Sequence, residues 1–213
     1  MGVIYSKHGI VTVQRERERV IHANVTLFDK TYSTIKVNGL EWICENLDYR
    51  WSGLSLGRSG TSSPEACYVE QNETLWGWNG RKCGLQYNTP ARNYIIDTLL
   101  HDSEWRIPNV SDWCKLIDAV GCENSSKKLS KTVEWGTFEG TDDIGFSALP
   151  CGGWANPGDA PGYSYYFAIN INKEAKFINS YNNSNSWIPY LLNVGAYTAW
   201  YWHYAVRLCR TLT

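Results

Sequence analysis

The sequence has no apolar run that approaches the roughly 20 residues a helix needs to cross a bilayer. Its N-terminus, MGVIYSKHGIVTVQRERERV, contains neither a long apolar stretch nor a small-residue cleavage site. We therefore expect synthesis in the cytoplasm without a signal peptide, and no membrane insertion. The 20 basic and 21 acidic side chains nearly cancel, so no overall field attracts nucleic acid or membrane phosphates. Nucleic acid is not an expected partner.

Signatures of several enzyme and metal-site classes are also absent. No G-x-S-x-G, Walker or H-E-x-x-H motif occurs, and the four histidines are scattered without ligand spacing. The seven cysteines include no C-x-x-C pair, unlike those of zinc ribbons and thioredoxins. We expect no metal, no cofactor and mostly unpaired thiols, with one or two disulfides as the alternative. The odd count leaves at least one thiol unpaired in a monomer.

Phenylalanine is scarce among the aromatic residues, with 5 Phe beside 11 Trp and 14 Tyr. Tyr and Trp join a large apolar ring to a polar group, which suits a surface that contacts both apolar groups and water. Residues 151–213 carry 8 of the Tyr, 4 of the Trp and 8 Asn, but only 6 charged side chains. Antibody paratopes have a similar mixture of rigid rings and adaptable amides. The C-terminal third is therefore predicted to recognise a partner.

The chain length suits one sizeable domain with a short appendage. Residues 1–30 combine extended patterns with an alternating charge run, which predicts an N-terminal extended arm. This arm is either a solvated strand pair or a segment that docks on a larger assembly. Residues 31–213 are predicted to form one ligand-binding domain. Within it, Asn38 and Gly39 lie between apolar alternations, the strongest local signal for a hairpin.

Two helices are predicted in the middle of the chain. The first has Thr89 as its N-cap and Pro90 at its first position, and it continues through ARNYIIDTLL. The second has Ser111 as its cap and ends at Gly121. Its apolar residues recur at helical spacing: Trp113, Leu116, Ile117 and Val120. From Lys131 onward only short strand-like runs follow, which predicts an α+β chain with antiparallel sheets and a loop-rich C-terminal half.

Five motifs occur in order between Thr34 and Arg210: TIKVNGLEWICENLDY, CGLQYNTPAR, EWRIPNVSDWCKLI, DDIGFSALPCGGW and YAVRLCR. Together they resemble the Fibrobacter succinogenes major paralogous domain family. Members of that group are similar to C-type-lectin-fold proteins, including the variable proteins of diversity-generating retroelements, whose C-terminal segment is mutagenised to create new binding specificities. The resemblance implies a C-type-lectin-like fold. It also implies a set of core residues: Trp42, Trp105, Trp113, Phe146, Leu149 and Val206.

The resemblance further implies that the aromatic C-terminal segment is a hypervariable binding surface. The predicted partner is a protein or glycan receptor on a cell surface. The protein would act as a phage-tail receptor-binding protein on the virion or as a cell-surface adhesin, and assembly into a homo-oligomer is left open. The predicted ligand-binding residues are Tyr163, Tyr165, Asn179, Tyr181, Asn183, Asn185, Trp187, Tyr190, Tyr197, Trp200, Trp202 and His203.

Two other functions are weighed against this one. The fold also resembles the formylglycine-generating enzymes, and Cys151 with Cys209 is the only candidate catalytic pair in the C-terminal half. Calcium-dependent lectins carry E-P-N or Q-P-D and W-N-D motifs, which this sequence lacks. Calcium is therefore not expected, whereas a glycan ligand stays open because Trp and Tyr faces also stack on sugars. Binding without catalysis is the favoured function.

Overall fold

The computed structural model describes residues 3–5, 11–13, 20–57, 63–68, 84–122, 124–132, 140–149, 164–169, 173–178, 193–195 and 203–213. Within these residues the chain is α+β, with mostly antiparallel strands in three sheets and a few short helices. This is the class predicted from the sequence. No helix among these residues is long and apolar enough to span a bilayer.

A four-stranded antiparallel sheet joins the early part of the chain to its end. Its strands are β3 (Ile21–Leu27), β4 (Lys30–Val37), β5 (Leu40–Ile43) and β13 (Cys209–Thr211), in the order β13-β5-β4-β3. Asn38 and Gly39 connect β4 to β5 with φ values of 49° and 74°, which confirms the predicted hairpin. β3 pairs with β4 along its whole length. The domain boundary predicted at residue 30 therefore falls inside a hairpin.

A seven-stranded sheet carries most of the C-terminal strands. Its members are β6 (Ser55–Leu56), β7 (Glu65–Tyr68), β8 (Leu85–Tyr87), β9 (Ser164–Ile169), β10 (Lys173–Ile178), β11 (Asn193–Gly195) and β12 (Tyr204–Ala205). The strand order is β11-β10-β9-β12-β8-β7-β6. β12 pairs with β8 on one side and with β9 on the other, so the strands β9 to β11 form one flank. A separate pair consists of β1 (Val3–Tyr5) and β2 (Val11–Val13).

Both predicted helices form, but each begins with a different cap. Helix α1 (Thr89–Tyr94) leads into a π-helical turn (Ile95–Leu99), and its cap is Asn88, whose side chain accepts the N–H of Ala91. Helix α2 (Val110–Val120) ends at Gly121 as predicted.

The cap of α2 is Asn109, which accepts the N–H of Asp112, while the Asp112 carboxylate accepts the N–H of Asn109. The predicted caps Thr89 and Ser111 are therefore wrong. In both helices an Asn just before the helix satisfies an amide of the first turn. Sequence inspection did not predict a further short helix, α3 (Ser125–Leu129).

Two apolar clusters form the core, and the neighbouring β5 residues Trp42 and Ile43 belong to different clusters because they point to opposite faces of the sheet. The first cluster centres on Trp42, whose ring lies 5.0 Å from that of Trp113 and 5.8 Å from that of Phe146. The second cluster contains Trp105 and Val206. Leu149 is partly buried against the first cluster. Burial of Trp42, Trp105, Trp113, Phe146 and Val206 is thus confirmed, whereas Leu149 only flanks the core.

Candidate functional site

Only two of the predicted ligand-binding residues fall within the described part of the chain. Tyr165 is on β9, where its backbone lies opposite Phe177 of β10. His203 directly precedes β12. The remaining ten lie outside the described residues: Tyr163, Asn179, Tyr181, Asn183, Asn185, Trp187, Tyr190, Tyr197, Trp200 and Trp202.

His203 is fully buried, so the prediction that it is exposed for contact is wrong. This residue leads into β12, a central strand of its sheet. The core packs on both faces of this part of the chain, because Ala205 belongs to the first apolar cluster and Tyr204 and Val206 belong to the second. All residues from 203 to 209 are buried, and the candidate surface therefore ends before His203.

One buried side chain, Arg207, links the chain on both sides of residues 150–202. Only 1% of Arg207 is exposed. Its Nη1 donates to the carbonyl oxygen of Phe146 at 2.8 Å, and its Nη2 donates to that of Ser147 at 3.3 Å. Phe146 and Ser147 precede the aromatic segment and Arg207 follows it. The two ends of the segment are therefore held together at its base.

The same guanidinium is anchored to the four-stranded sheet. Its Nε donates to Oδ1 of the buried Asn46 at 2.7 Å, and Nη1 also donates to the carbonyl of Ile43 at 3.2 Å. The group lies 4.6 Å from the centre of the Phe146 ring, a distance typical of a cation–π contact. The planar, five-donor fork of arginine can serve these partners together, whereas the ammonium group of lysine cannot.

The turn before the aromatic segment has an unusual backbone. Asp142, Gly145 and Ser147 adopt left-handed φ values of 46°, 73° and 54°. The Asp142 carboxylate stabilises the turn by accepting the N–H of Ser147 at 2.7 Å and its hydroxyl at 2.6 Å. The positive φ of Gly145 favours glycine, and a Cβ at this position would lie 2.7 Å from Cε1 of His22, so that exposed side chain would have to shift. The turn thereby presents its carbonyl groups to Arg207.

A cleft of about 530 Å³ opens beside Arg207. Its lining includes His22, Lys30, Ser33, Cys44, Asp48 and Lys131. Lys30 forms an ion pair with Asp48 at 3.3 Å, and Glu45 accepts the N–H of Ser33 at 3.0 Å. Charges of both signs line the cleft, so it suits a small polar group better than an extended apolar one. In the described part of the chain, no group of three or more His, Cys, Asp or Glu side chains could hold a metal ion.

Four cysteines whose side chains the structure describes are free thiols of two kinds. Cys114 and Cys122 are exposed, whereas Cys44 and Cys209 are buried. Burial raises the pKa of Cys44 to about 12, although the charge of Arg207 acts in the opposite direction. Burial, together with the charge of Asp112, also raises the pKa of Cys209. Both buried thiols stay protonated near neutral pH, which makes them weak nucleophiles.

The last strand is fastened through ion pairs to two buried acids, Glu41 and Asp112, that sequence inspection missed. Arg210 lies opposite Glu41 in the register, and its Nη2 is 2.7 Å from the buried Glu41 carboxylate. Arg106, which forms a β-bridge with Cys209, binds Asp112 through contacts of 2.7 and 3.2 Å. These pairs hold the end of the chain beside α2. The sequence did contain a signal for the buried Asp112, because Asn109 and Asp112 have the three-residue spacing of a capping box.

Compared with known proteins, the sequence matches no protein-family model, no curated protein and no solved structure. Of the alternative catalytic pair, Cys209 is buried and Cys151 lies outside the described residues.

Proposed function

We propose that this chain is a ligand-binding protein with a C-type-lectin-like fold, in which residues 150–202 form a diversified contact surface on a buried frame. The observation that carries the proposal is the position of Arg207. Its hydrogen bonds to Phe146 and Ser147 close the base of the segment, and its bond to Asn46 fixes that base to the frame. Between these fixed ends, the residues that lie outside β9, β10 and β11 can change while the frame is preserved.

The composition of the segment supports contact as its role. Residues 151–202 contain 7 Tyr, 4 Trp and 8 Asn, but only 4 charged side chains. Tyr and Trp dominate binding hot spots because they bury large, rigid areas at a low entropic cost. Asn adds donors and acceptors that adapt to different partners. The protein is proposed to contact a protein or glycan receptor on a cell surface through rings and amides, without calcium.

The described frame supports the lectin-like part of the proposal. The last strand, β13, pairs with the early strand β5, so the two ends of the domain meet in one sheet. The motif residues Trp42, Trp113 and Phe146 pack against each other in the first core cluster. This is the role that the five-motif resemblance implies for them. In a receptor-binding protein of a phage tail, or in an adhesin, such a frame would carry the contact surface.

The catalytic alternative is not favoured. It needs a thiolate at Cys209, but that side chain is fully buried and its pKa is raised by burial and by Asp112. A reactive cysteine is normally accessible and has a lowered pKa.

Binding to a glycan array and to intact bacterial cells tests the proposal. Trp187→Ser and Tyr181→Ser should each weaken binding at least about tenfold if the rings are hot spots. Leu56→Ser is the control, because Leu56 is a 44% exposed apolar residue outside the segment. It should bind like the wild type. Binding by Trp187→Ser and Tyr181→Ser that equals that of the control would overturn the proposal.

The diversification has a separate test in the surrounding DNA. A near-copy of the sequence that encodes residues 151–202, beside a reverse transcriptase gene, should differ from the coding copy mainly at adenines. A neighbourhood that lacks both would remove the retroelement from the proposal and leave the binding role in place.

A further inference from the structure

Among the strands that the structure describes, β3 is a long edge strand whose own sequence lacks the usual protection. Its sequence, IHANVTL, contains no Lys, Arg, Asp, Glu or Pro. Its register with β4 runs from Ile21 to Leu27 without a bulge. Proteins commonly protect an edge with charges, proline, a bulge or a short strand, because the unpaired N–H and C=O groups attract another strand. β3 has none of these features over its 7 residues.

The other edges of the two larger sheets differ from β3 within the described residues. β13 has 3 residues, includes Arg210, and is bridged at Cys209 by Arg106. β6 has only 2 residues, and β11 has 3 and ends at Gly195. Each of these edge strands is therefore protected from pairing with another chain, because it is short, carries a charge or is covered. Among the described strands of these sheets, β3 is the one edge suited to extended pairing.

The turn that follows β3 determines which backbone groups point outward. Phe28 and Asp29 have φ values of 52° and 61°, as in a two-residue turn between hairpin strands. Leu27 and Lys30 then form a hydrogen-bonded pair, and such pairs alternate along the hairpin. The N–H and C=O groups that point away from β4 belong to His22, Asn24 and Thr26. The side chains of these three residues are exposed.

We infer that β3 pairs antiparallel with β3 of a second copy of this chain, with Asn24 opposite Asn24 about a twofold axis. This register also places His22 of each copy opposite Thr26 of the other. It uses every outward backbone group of both strands, which gives about six hydrogen bonds. A shift by two residues in either direction would lose some of these bonds.

The side chains match in the same register. Ile21 lies opposite Leu27 of the second copy, and Ala23 lies opposite Val25, so that apolar residues meet on one face. Ile21 is 52% exposed in the single chain, and the pairing would cover it. No formally charged side chain of β3 meets another across the axis. The strand is thus its own complement, as a twofold interface requires.

A dimer of this kind joins two four-stranded sheets into one continuous sheet. It places two copies of the contact surface in one particle, which raises the effective affinity for a surface that carries many receptors. The inference does not depend on the proposed binding function, because β3 lies outside residues 150–202.

Sedimentation of the full chain over a range of concentrations tests the inference. The wild type and Asn24→Ala should form dimers, since alanine keeps the outward N–H. Asn24→Pro removes that N–H but leaves the β3–β4 hydrogen bonds in place. Its dimer dissociation constant should rise at least about tenfold, a loss of about 1.4 kcal/mol. Circular dichroism and thermal melts check that the variant stays folded.

A charge pair tests the register itself. Asn24→Lys and Asn24→Glu should each be monomeric alone, because like charges would lie directly opposite each other. A mixture of the two should sediment as a heterodimer. The inference is overturned if the wild type is a monomer at every concentration. A monomer is also the result expected if residues of the same chain cover the β3 edge. It is also overturned if the mixture behaves like the separate variants.

Discussion

The guanidinium of Arg207 donates a 2.8 Å hydrogen bond to the carbonyl oxygen of Phe146. Phe146 belongs to the frame before the aromatic segment, and Arg207 belongs to the frame after it. Closing a long stretch of chain has an entropic cost that grows only slowly with its length, so this bond can join two residues that are 61 positions apart. Arg207 therefore fastens both flanks of residues 150–202 to the frame.

Arg207→Lys should lower the free energy of unfolding by about 3 kcal/mol, because buried carbonyl groups lose their donors. Lysine cannot replace the arginine fork. Urea unfolding measures the loss, and Arg50→Lys, at an exposed position, is the matched control. An Arg207→Lys variant as stable as the control would show that the closed base does not stabilise the fold.

Gly145→Ala should destabilise the protein by at least about 1 to 2 kcal/mol, the cost of a left-handed alanine. The crowding against His22 adds to this cost, since a Cβ would lie 2.7 Å from its ring. A double-mutant cycle with His22→Ala measures that crowding. The double variant should lose less stability than the sum of the two single variants. Strict additivity would contradict the close contact.

The sequence predicted features that depend on neighbouring residues. Asn38 and Gly39 determine their hairpin locally, and the spacing of Trp113 and Leu116 identifies the buried side of α2. Arg207 could not be assigned in this way. Its acceptors on Ile43 and Phe146 are 164 and 61 residues away in the chain, and backbone carbonyl groups leave no signal in a sequence.

His203 shows a second limit of sequence-based prediction. It belongs to a run of aromatic residues, WYWHY, which predicted exposure. Its burial depends on distant parts of the chain that form the core around residues 203 to 209, which no local pattern reveals. The predicted N-caps Thr89 and Ser111 were wrong for a different reason. Several polar residues near the start of a helix can each act as the N-cap, and the backbone geometry selects one of them.

Acid should destabilise the protein in part through Asp112. Burial opposes ionisation of this carboxyl, but hydrogen bonds from Arg106 and from the N–H of Asn109 outweigh it, so its pKa is lowered below 3.8. A lowered pKa in the folded state stabilises the fold above the unfolded-state pKa, and this stability is lost as the pH falls through the folded-state pKa.

Unfolding free energies measured between neutral pH and about pH 2 should therefore fall below about pH 4. Asp112→Asn should be less stable at neutral pH and should show a weaker decline. Asp118→Asn alters an exposed acid on the same helix and should keep the wild-type profile. If Asp112→Asn also keeps that profile, the ion pair has no part in acid stability.

Thiol labelling should separate four of the cysteines into two groups. Cys114 and Cys122 are exposed and should react quickly with a maleimide in the native state. Cys44 and Cys209 are buried with raised pKa values, and they should react only after unfolding. Mass spectrometry of peptides from the labelled protein identifies each site. Fast native labelling of Cys209 would reopen the catalytic alternative.

The separation of frame and surface is tested most directly by equilibrium unfolding of five single variants. Trp105→Ala and Trp113→Ala remove buried rings and should each cost about 3 to 5 kcal/mol. Tyr181→Ser, Trp187→Ser and Trp202→Ser should each cost less than about 1 kcal/mol, as substitutions at exposed positions do. If the three substitutions in the aromatic segment destabilise the protein as much as those in the frame, these rings belong to the core and the segment is not a contact surface.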